Sequence, residues 1–102
     1  MLDILSYDEL AAQVGTKFRV LDAAPELLEI ELTAITDKQG NRQQEYFSLI
    51  FRGTRELILP QKIYQLEHEQ LGAGALFLVP VGMTEQGVEY EAAFNRLIGE
   101  QQ

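Results

Sequence analysis

The segment Glu67-His68-Glu69 holds the residue types that could bind a metal ion or transfer protons, and His68 is the only histidine. Residues 63–69 alternate in polarity, which predicts a β-strand, and adjacent residues of a strand point to opposite faces. His68 therefore cannot bind one metal ion together with its two glutamate neighbours. We interpret it as a hydrogen-bonded structural histidine that shares the inward face with Tyr64. A ligand or catalytic role, or exposure at a strand end, are the alternatives.

Pairs of glutamates two positions apart are the second candidate for chemistry. General acid–base catalysis needs a carboxylate in a pocket, beside a group that perturbs its pKa. Each pair here falls instead on the polar face of a predicted strand, where charge hinders pairing between sheet edges. We expect a solvated outer face made by three pairs: Glu29 with Glu31, Glu67 with Glu69, and Glu89 with Glu91.

Nucleophilic catalysis has no recognisable motif in this chain. Ser6 and Ser48 have no histidine or acidic partner at a known spacing. The chain has no cysteine, which excludes thiolate nucleophiles, disulfides and cysteine-based zinc sites. We therefore predict that the protein is not an enzyme and has no catalytic, cofactor-binding or metal-binding residues.

Arg52, Arg55 and Lys62 surround the central loop, where basic residues outnumber acidic ones. Gly53 would let the backbone approach an anion such as phosphate. No helix N-terminus or glycine motif accompanies it, so solvated loop charges are the preferred interpretation.

The net charge of −8 sets the expected class of partner. Such a charge repels nucleic acids and anionic membranes, so we expect binding to neither. We predict instead a protein partner. The identity of the partner and the oligomeric state of the chain are open. No signal peptide is visible, and the longest apolar run, residues 75–81, is far shorter than the roughly 20 residues of a membrane span. We expect a cytoplasmic protein.

A short helix is predicted to precede the strands. Ser6 and Glu9 have the spacing of a capping box, and Gly15 has the place of a glycine that ends a helix. This pattern predicts a helix over residues 7–14 that covers one opening or face of a sheet.

From Lys17 onward the apolar residues recur with a period of two, which is typical of strands. We expect turns at residues 37–41 and 84–87 and at Gly72 and Gly74, and a strand end or sheet edge at Pro80. The predicted strands are 17–21, 28–34, 46–52, 63–69, 75–81 and 88–95.

These elements predict one domain over residues 1–102, with a polar tail after about residue 97. The fold class is α+β, mainly β. One N-terminal helix packs on a small antiparallel sheet of about six strands, either barrel-like or in two layers.

The second half of the chain carries a resemblance. The segments concerned are FSLIFRG at 47–53, LPQ at 59–61, IYQLEH at 63–68, LG at 71–72, FLVPVG at 77–82, and YEA with FNR within 90–96. They resemble a family of small uncharacterised bacterial proteins, a domain of unknown function. Some members are encoded near phage-tail-collar-like proteins. The resemblance implies no activity, cofactor or catalytic residue, and it favours structural or interaction roles for four residues: Arg52, Tyr64, His68 and Arg96.

The leading hypothesis is a non-enzymatic accessory or protein-interaction module linked to a phage-tail-like assembly. The alternative is a barrel that binds a small ligand in a cavity lined by Phe47, Phe51, Tyr64 and Phe94. A barrel of this size is usually filled by its own side chains, so the alternative ranks second and a hydrolase third.

Overall fold

The computed structural model describes residues 2, 5–23 and 28–97. Within these residues the chain forms one α-helix, α1 (Tyr7–Ala11), and seven strands. The strands are β1 (Lys17–Val20), β2 (Leu28–Ile35), β3 (Gln39–Gly40), β4 (Gln44–Gly53), β5 (Lys62–His68), β6 (Gly72–Thr84) and β7 (Gly87–Leu97).

Six of the strands close into an antiparallel barrel. The strands β1, β2 and β4 pair in succession, as do β5, β6 and β7. Pairing of β4 with β7 and of β1 with β5 joins these two halves, while the two-residue β3 extends β4 on one side. The mainly β prediction is confirmed, and of its two forms the structure is the barrel.

The antiparallel register defines two ends of the barrel. The helix end holds α1, the start of β1 and the turn between β5 and β6, because Arg19 of β1 pairs with Glu67 near the end of β5. The loop end holds residues 54–61 and the turn between β6 and β7, because Gly53 pairs with Val88.

Inward-facing apolar side chains fill the barrel. In β7 the alternation is as predicted, with Val88, Tyr90, Ala92 and Phe94 all buried. Aromatic rings meet across the interior, with Phe18 edge-on to Phe51 and Phe47 stacked on Phe94. Full burial of one such large side chain stabilises the fold by roughly 1.5–3 kcal/mol, so this layer supplies much of the driving force.

The helix is shorter than predicted. The capping box is present, since Glu9 N–H donates to the Ser6 hydroxyl and Ser6 N–H donates to the Glu9 carboxylate. The helix ends at Ala11 rather than at residue 14, because Gln13 and Val14 donate to the carbonyls three residues earlier and tighten the chain into turns. Gly15 follows with a φ of 96°, a conformation suited to glycine.

The predictions for Gly74 and for Pro80 differ in part from the structure. Gly72 has a φ of 88° at the turn, but Gly74 lies inside β6 opposite Leu66, so its assignment to a turn is wrong. Pro80 also lies inside β6, at a shift of register with β7, and not at a strand end. The edge alternative for Pro80 is confirmed, because β5 pairs with β6 only as far as Leu78.

One further expectation, the polar tail after residue 97, lies outside the described residues. Among the described residues, no helix is long and apolar enough to cross a membrane.

Candidate functional site

His68 is the best-connected polar side chain at the helix end. Its Nδ1 accepts hydrogen bonds from the amides of Gln70 and Leu71, at 3.0 and 3.1 Å. Since Nδ1 is an acceptor, the ring proton lies on Nε2, which donates to Thr16 Oγ1 at 2.8 Å. Thr16 Oγ1 in turn donates to the carbonyl of Gln13. The histidine thus joins the β5–β6 turn to the segment between α1 and β1.

His68 is buried and hydrogen-bonded, as the structural interpretation expects, and its role stays a prediction. The residue is only 4% exposed, and its ring lies 4.5 Å from that of Phe18. Burial lowers the pKa of His68, with a smaller lowering by Arg19 opposed by Glu69. A surface cavity of about 230 Å³ lies beside the ring. Because both ring nitrogens are already bonded, the histidine has no nitrogen available to a ligand in that cavity.

Metal chemistry finds no support around this histidine. Glu67 bonds Arg19 with a shortest distance of 2.8 Å and so faces away from the ring, as strand alternation requires. Across residues 5–23 and 28–97, no group of histidine and carboxylate side chains is placed to hold a metal ion.

Tyr64 and Tyr90 hold the loop end closed. The Tyr64 hydroxyl donates to the carbonyl of Pro60, and the Tyr90 hydroxyl accepts from the amide of Leu59 at 2.9 Å. Burial raises the pKa of both tyrosines. Tyr64 therefore bonds the backbone of the loop before β5, whereas His68 bonds the glycine turn after β5.

The role of Tyr90 is a contribution that the sequence interpretation missed. Its inward position in β7 was predicted, and a buried tyrosine hydroxyl needs a hydrogen-bond partner. That requirement was the available signal for a contact between β7 and a loop.

The contacts of Arg52 and Gly53 lie within the barrel wall. Arg52 Nη2 lies 3.3 Å from the carboxylate of Glu31 on β2. A Cβ atom at Gly53 would lie 3.1 Å from Ile30 and 3.2 Å from Tyr90, so this glycine allows close packing of the core. Gly53 therefore serves the packing of the barrel wall.

Arg96 fastens the N-terminal segment to the barrel. Its guanidinium lies 5.2 and 5.1 Å from the rings of Phe47 and Phe94, and its Nε donates to Glu45 at 2.6 Å. Nη2 also donates to the carbonyl of Leu5. The side chain is partly buried, and its contacts join the N-terminal segment to the barrel.

Ser48 has a hydrogen-bond partner that no sequence spacing indicated. It does have an acidic partner in space, because its hydroxyl donates to Glu91 at 2.5 Å across the β4–β7 pair. The two residues are far apart in the chain, which is why spacing did not indicate the contact. The ring of His68 is bonded to Thr16 instead, so the structure does not bring a serine, a histidine and an acid together.

The four aromatic residues predicted to line a ligand cavity are part of the packed core. Phe47 and Phe94 stack with centroids 4.9 Å apart, and Phe51 meets Phe18 at 5.2 Å. Tyr64 is 2% exposed. The small-ligand barrel stays a prediction, and these contacts give it no cavity among those rings.

An exposed apolar surface at the loop end was not singled out from the sequence. Ile63 and Phe77 lie directly opposite each other on the outer face of β5 and β6, 59% and 47% exposed. Their outward positions in alternating strands were the available signal. We call the loop-end surface the pair Ile63 and Phe77; Ile58, Val81 and Met83 are also about half-exposed at this end of the barrel.

The last part of β6 adds an open strand edge to this surface. β5 begins at Lys62, opposite Leu78, so the segment from Val79 to Thr84 pairs with β7 alone among residues 5–23 and 28–97. Val81 and Met83 lie on this segment. An unpaired edge bordered by apolar side chains can accept another chain.

A comparison with protein families identifies the family of the chain. The model of a domain of unknown function, DUF6916, matches residues 5–94, which include the whole barrel apart from the last residues of β7. The chain belongs to this family. No curated protein and no solved structure matches it significantly. The resemblance to a domain of unknown function is therefore confirmed.

Proposed function

We propose that this domain is a non-enzymatic accessory module that binds a partner protein through the loop-end surface. The observation that carries the proposal is the pair Ile63 and Phe77, two large apolar side chains held side by side on the outside of a rigid barrel. Leaving them in water forgoes the free energy that burial would supply, about 25 cal/mol for each Å². Contiguous exposed apolar area on a soluble domain is typical of interaction sites.

The engagement of the chemistry-bearing residues supports a role other than catalysis. His68 uses both ring nitrogens to close the helix end, and Arg96 is held by Glu45 and a backbone carbonyl. Ser48 bonds Glu91, and His68, which bonds Thr16 instead, does not join them in a triad. These groups stabilise the scaffold that presents the loop-end surface.

The proposed setting is the bacterial cytoplasm, beside the proteins of a phage-tail-like assembly. The absence of cysteine and the resemblance of residues 47–96 support it. The net charge of −8 supports a protein partner over nucleic acid or an anionic membrane.

Affinity purification of the tagged chain at its native expression level tests the proposal. We expect one partner in stoichiometric amount with the wild-type chain. The double variant I63S/F77S should lose that partner while keeping the thermal midpoint, because both side chains are exposed.

The matched control is V14S/L97S, which removes two exposed apolar side chains outside the loop-end surface. This control should retain the partner. Recovery of no stoichiometric partner, or equal capture by I63S/F77S and wild type, would overturn the proposal.

A further inference from the structure

His68 is a titratable side chain whose neutral form is built into the helix end. Its Nδ1 accepts from the amides of Gln70 and Leu71, and its Nε2 donates to Thr16. A proton taken up from solvent binds Nδ1, and the resulting imidazolium has an N–H at both positions and no acceptor. The two turn amides therefore lose their hydrogen-bond partner when the ring is protonated.

The charged side chains that face the ring come from β1, β2 and the β5–β6 turn. Residues 12–16 and β6 contain no charged residue. Arg19 is held by Glu67, so it is not free to move toward the ring. The cavity beside the ring is lined by four charged side chains: Lys17, Arg19, Glu29 and Glu69.

This cavity gives a protonated ring a place to move. Its volume of about 230 Å³ has room for several water molecules, each of which occupies about 30 Å³ in the liquid. Glu69 follows His68 directly in the chain, is exposed, and offers a carboxylate to a cation there. The present position of the ring is buried against Phe18, and burial disfavours a charged ring.

We propose that His68 is a pH-dependent switch: the neutral ring holds the β5–β6 turn closed, and the protonated ring turns into the adjoining cavity toward Glu69 and releases the turn. Burial lowers the pKa of His68, Glu69 opposes this, and Arg19 adds to it, so the turn is closed at neutral pH and opens in acid. The inference concerns the helix end and is independent of the function proposed for the loop-end surface.

Backbone hydrogen bonds confine the opening to the turn. Gly15 N–H donates to the carbonyl of Leu32, and Leu32 N–H donates to the carbonyl of Thr16, at 2.7 and 2.9 Å, so the segment before β1 stays on β2. Gly72 has a φ of 88° and open space where a Cβ would lie, which lets the turn change conformation. Release exposes Leu71, which packs against the core in the closed form.

Amide hydrogen exchange measured by NMR on the intact chain tests the switch. Exchange of Gln70 and Leu71, corrected for the intrinsic effect of pH, should be about tenfold faster at about pH 5 than at about pH 7.5, because two hydrogen bonds are lost. The Leu32 amide should keep its protection and serves as the internal control. Nitrogen shifts of the His68 ring should report one ring proton, on Nε2, at the higher pH and two in acid.

Two conservative variants test the parts of the switch. His68→Asn keeps an acceptor for the turn amides and has no group that titrates, so exchange of Gln70 and Leu71 should be the same at both pH values. Glu69→Gln removes the carboxylate that the protonated ring faces, so opening should need a lower pH than in the wild type. The matched control is Glu85→Gln, an exposed turn glutamate at the loop end, which should leave the midpoint unchanged.

The wild-type chain alone can overturn the inference. Continued protection of the two turn amides while the ring titrates would show that protonation leaves the turn closed. A ring that stays neutral at about pH 5 would show that the switch does not operate in mild acid. Equal shifts of the midpoint in Glu69→Gln and Glu85→Gln would overturn the movement of the ring toward Glu69.

Discussion

At the helix end of the barrel, buried polar groups join separate parts of the chain, whereas at the loop end two tyrosine hydroxyls hold a single loop and apolar side chains face water. His68 and Arg96 act at the helix end, each with at least two backbone or side-chain partners. Tyr64 and Tyr90 act at the loop end, each with a hydrogen bond from its hydroxyl to the backbone of the loop. His68 and Arg96, the residues whose types are best suited to chemistry, therefore hold the helix end together.

This difference separates stability from recognition. A side chain with all its hydrogen bonds made inside the protein has no free donor or acceptor for a partner. Ile63 and Phe77, by contrast, make a surface whose burial by another molecule would be favourable. Perturbing the helix end should therefore change folding, and perturbing the loop-end surface should change binding.

The largest expected effect is on the helix end. His68→Ala removes the acceptor of two backbone amides, the bond to Thr16 and the packing against Phe18. We expect the free energy of unfolding to fall by about 3 kcal/mol, from lost hydrogen bonds and the cavity together. Chemical denaturation followed by circular dichroism measures it.

His68→Asn is the informative companion variant, because its side-chain oxygen can accept from the turn amides. It should recover part of the loss. A stable His68→Ala chain, with a change below about 1 kcal/mol, would contradict the view that this histidine closes the barrel.

A smaller effect is expected at the loop end. Tyr90→Phe removes the acceptor for the buried amide of Leu59 and leaves the ring in place. We expect a loss of about 1–2 kcal/mol, the cost of an unsatisfied buried donor. Hydrogen exchange should show faster exchange of the Leu59 amide.

Tyr64→Phe serves as the control for this change. It frees the carbonyl of Pro60, an exposed residue whose carbonyl water can reach, so it should cost less than Tyr90→Phe. Equal losses of unfolding free energy would indicate that the two hydroxyls stabilise the loop to the same extent, and that the bond to Leu59 is not the critical contact.

Much of the barrel follows from local sequence because its strands obey simple alternation. The outward glutamates and inward apolar residues of β7 needed no knowledge of tertiary structure. The capping box of α1 is equally local, since Ser6 and Glu9 satisfy each other. The error at Gly74 arose because two glycines lie close together near the turn. No local property shows which of them is in the turn and which is in the strand.

The site was less predictable because its contacts join distant parts of the chain. Strand alternation placed His68 inside, but the bond to Thr16 spans 52 positions. The contact of Ser48 with Glu91 spans 43, and only the β4–β7 register brings the two together. The exposure of Ile63 and Phe77 likewise depends on tertiary structure, because only the fold determines which strand ends other elements cover.

The smallest effect concerns pH, and it belongs to the helix end alone. Burial lowers the pKa of His68 in the folded chain below its value in the unfolded chain, near 6.5. Between these two values the unfolded chain binds more protons, so the free energy of unfolding falls as pH falls. The stabilisation is complete above about pH 6.5, and a single proton limits the slope to about 1.4 kcal/mol per pH unit.

Denaturation of the wild type and of His68→Asn across about pH 5 to 7.5 measures this term. The carboxylates are common to both chains, and His68 is the only histidine, so the difference between the two curves isolates its titration. A difference that grows with pH up to about 6.5 and then stays constant is expected. Parallel curves would show that protonation does not break the bonds to the turn, and the helix end would then be held chiefly by Arg96 and the apolar packing of α1.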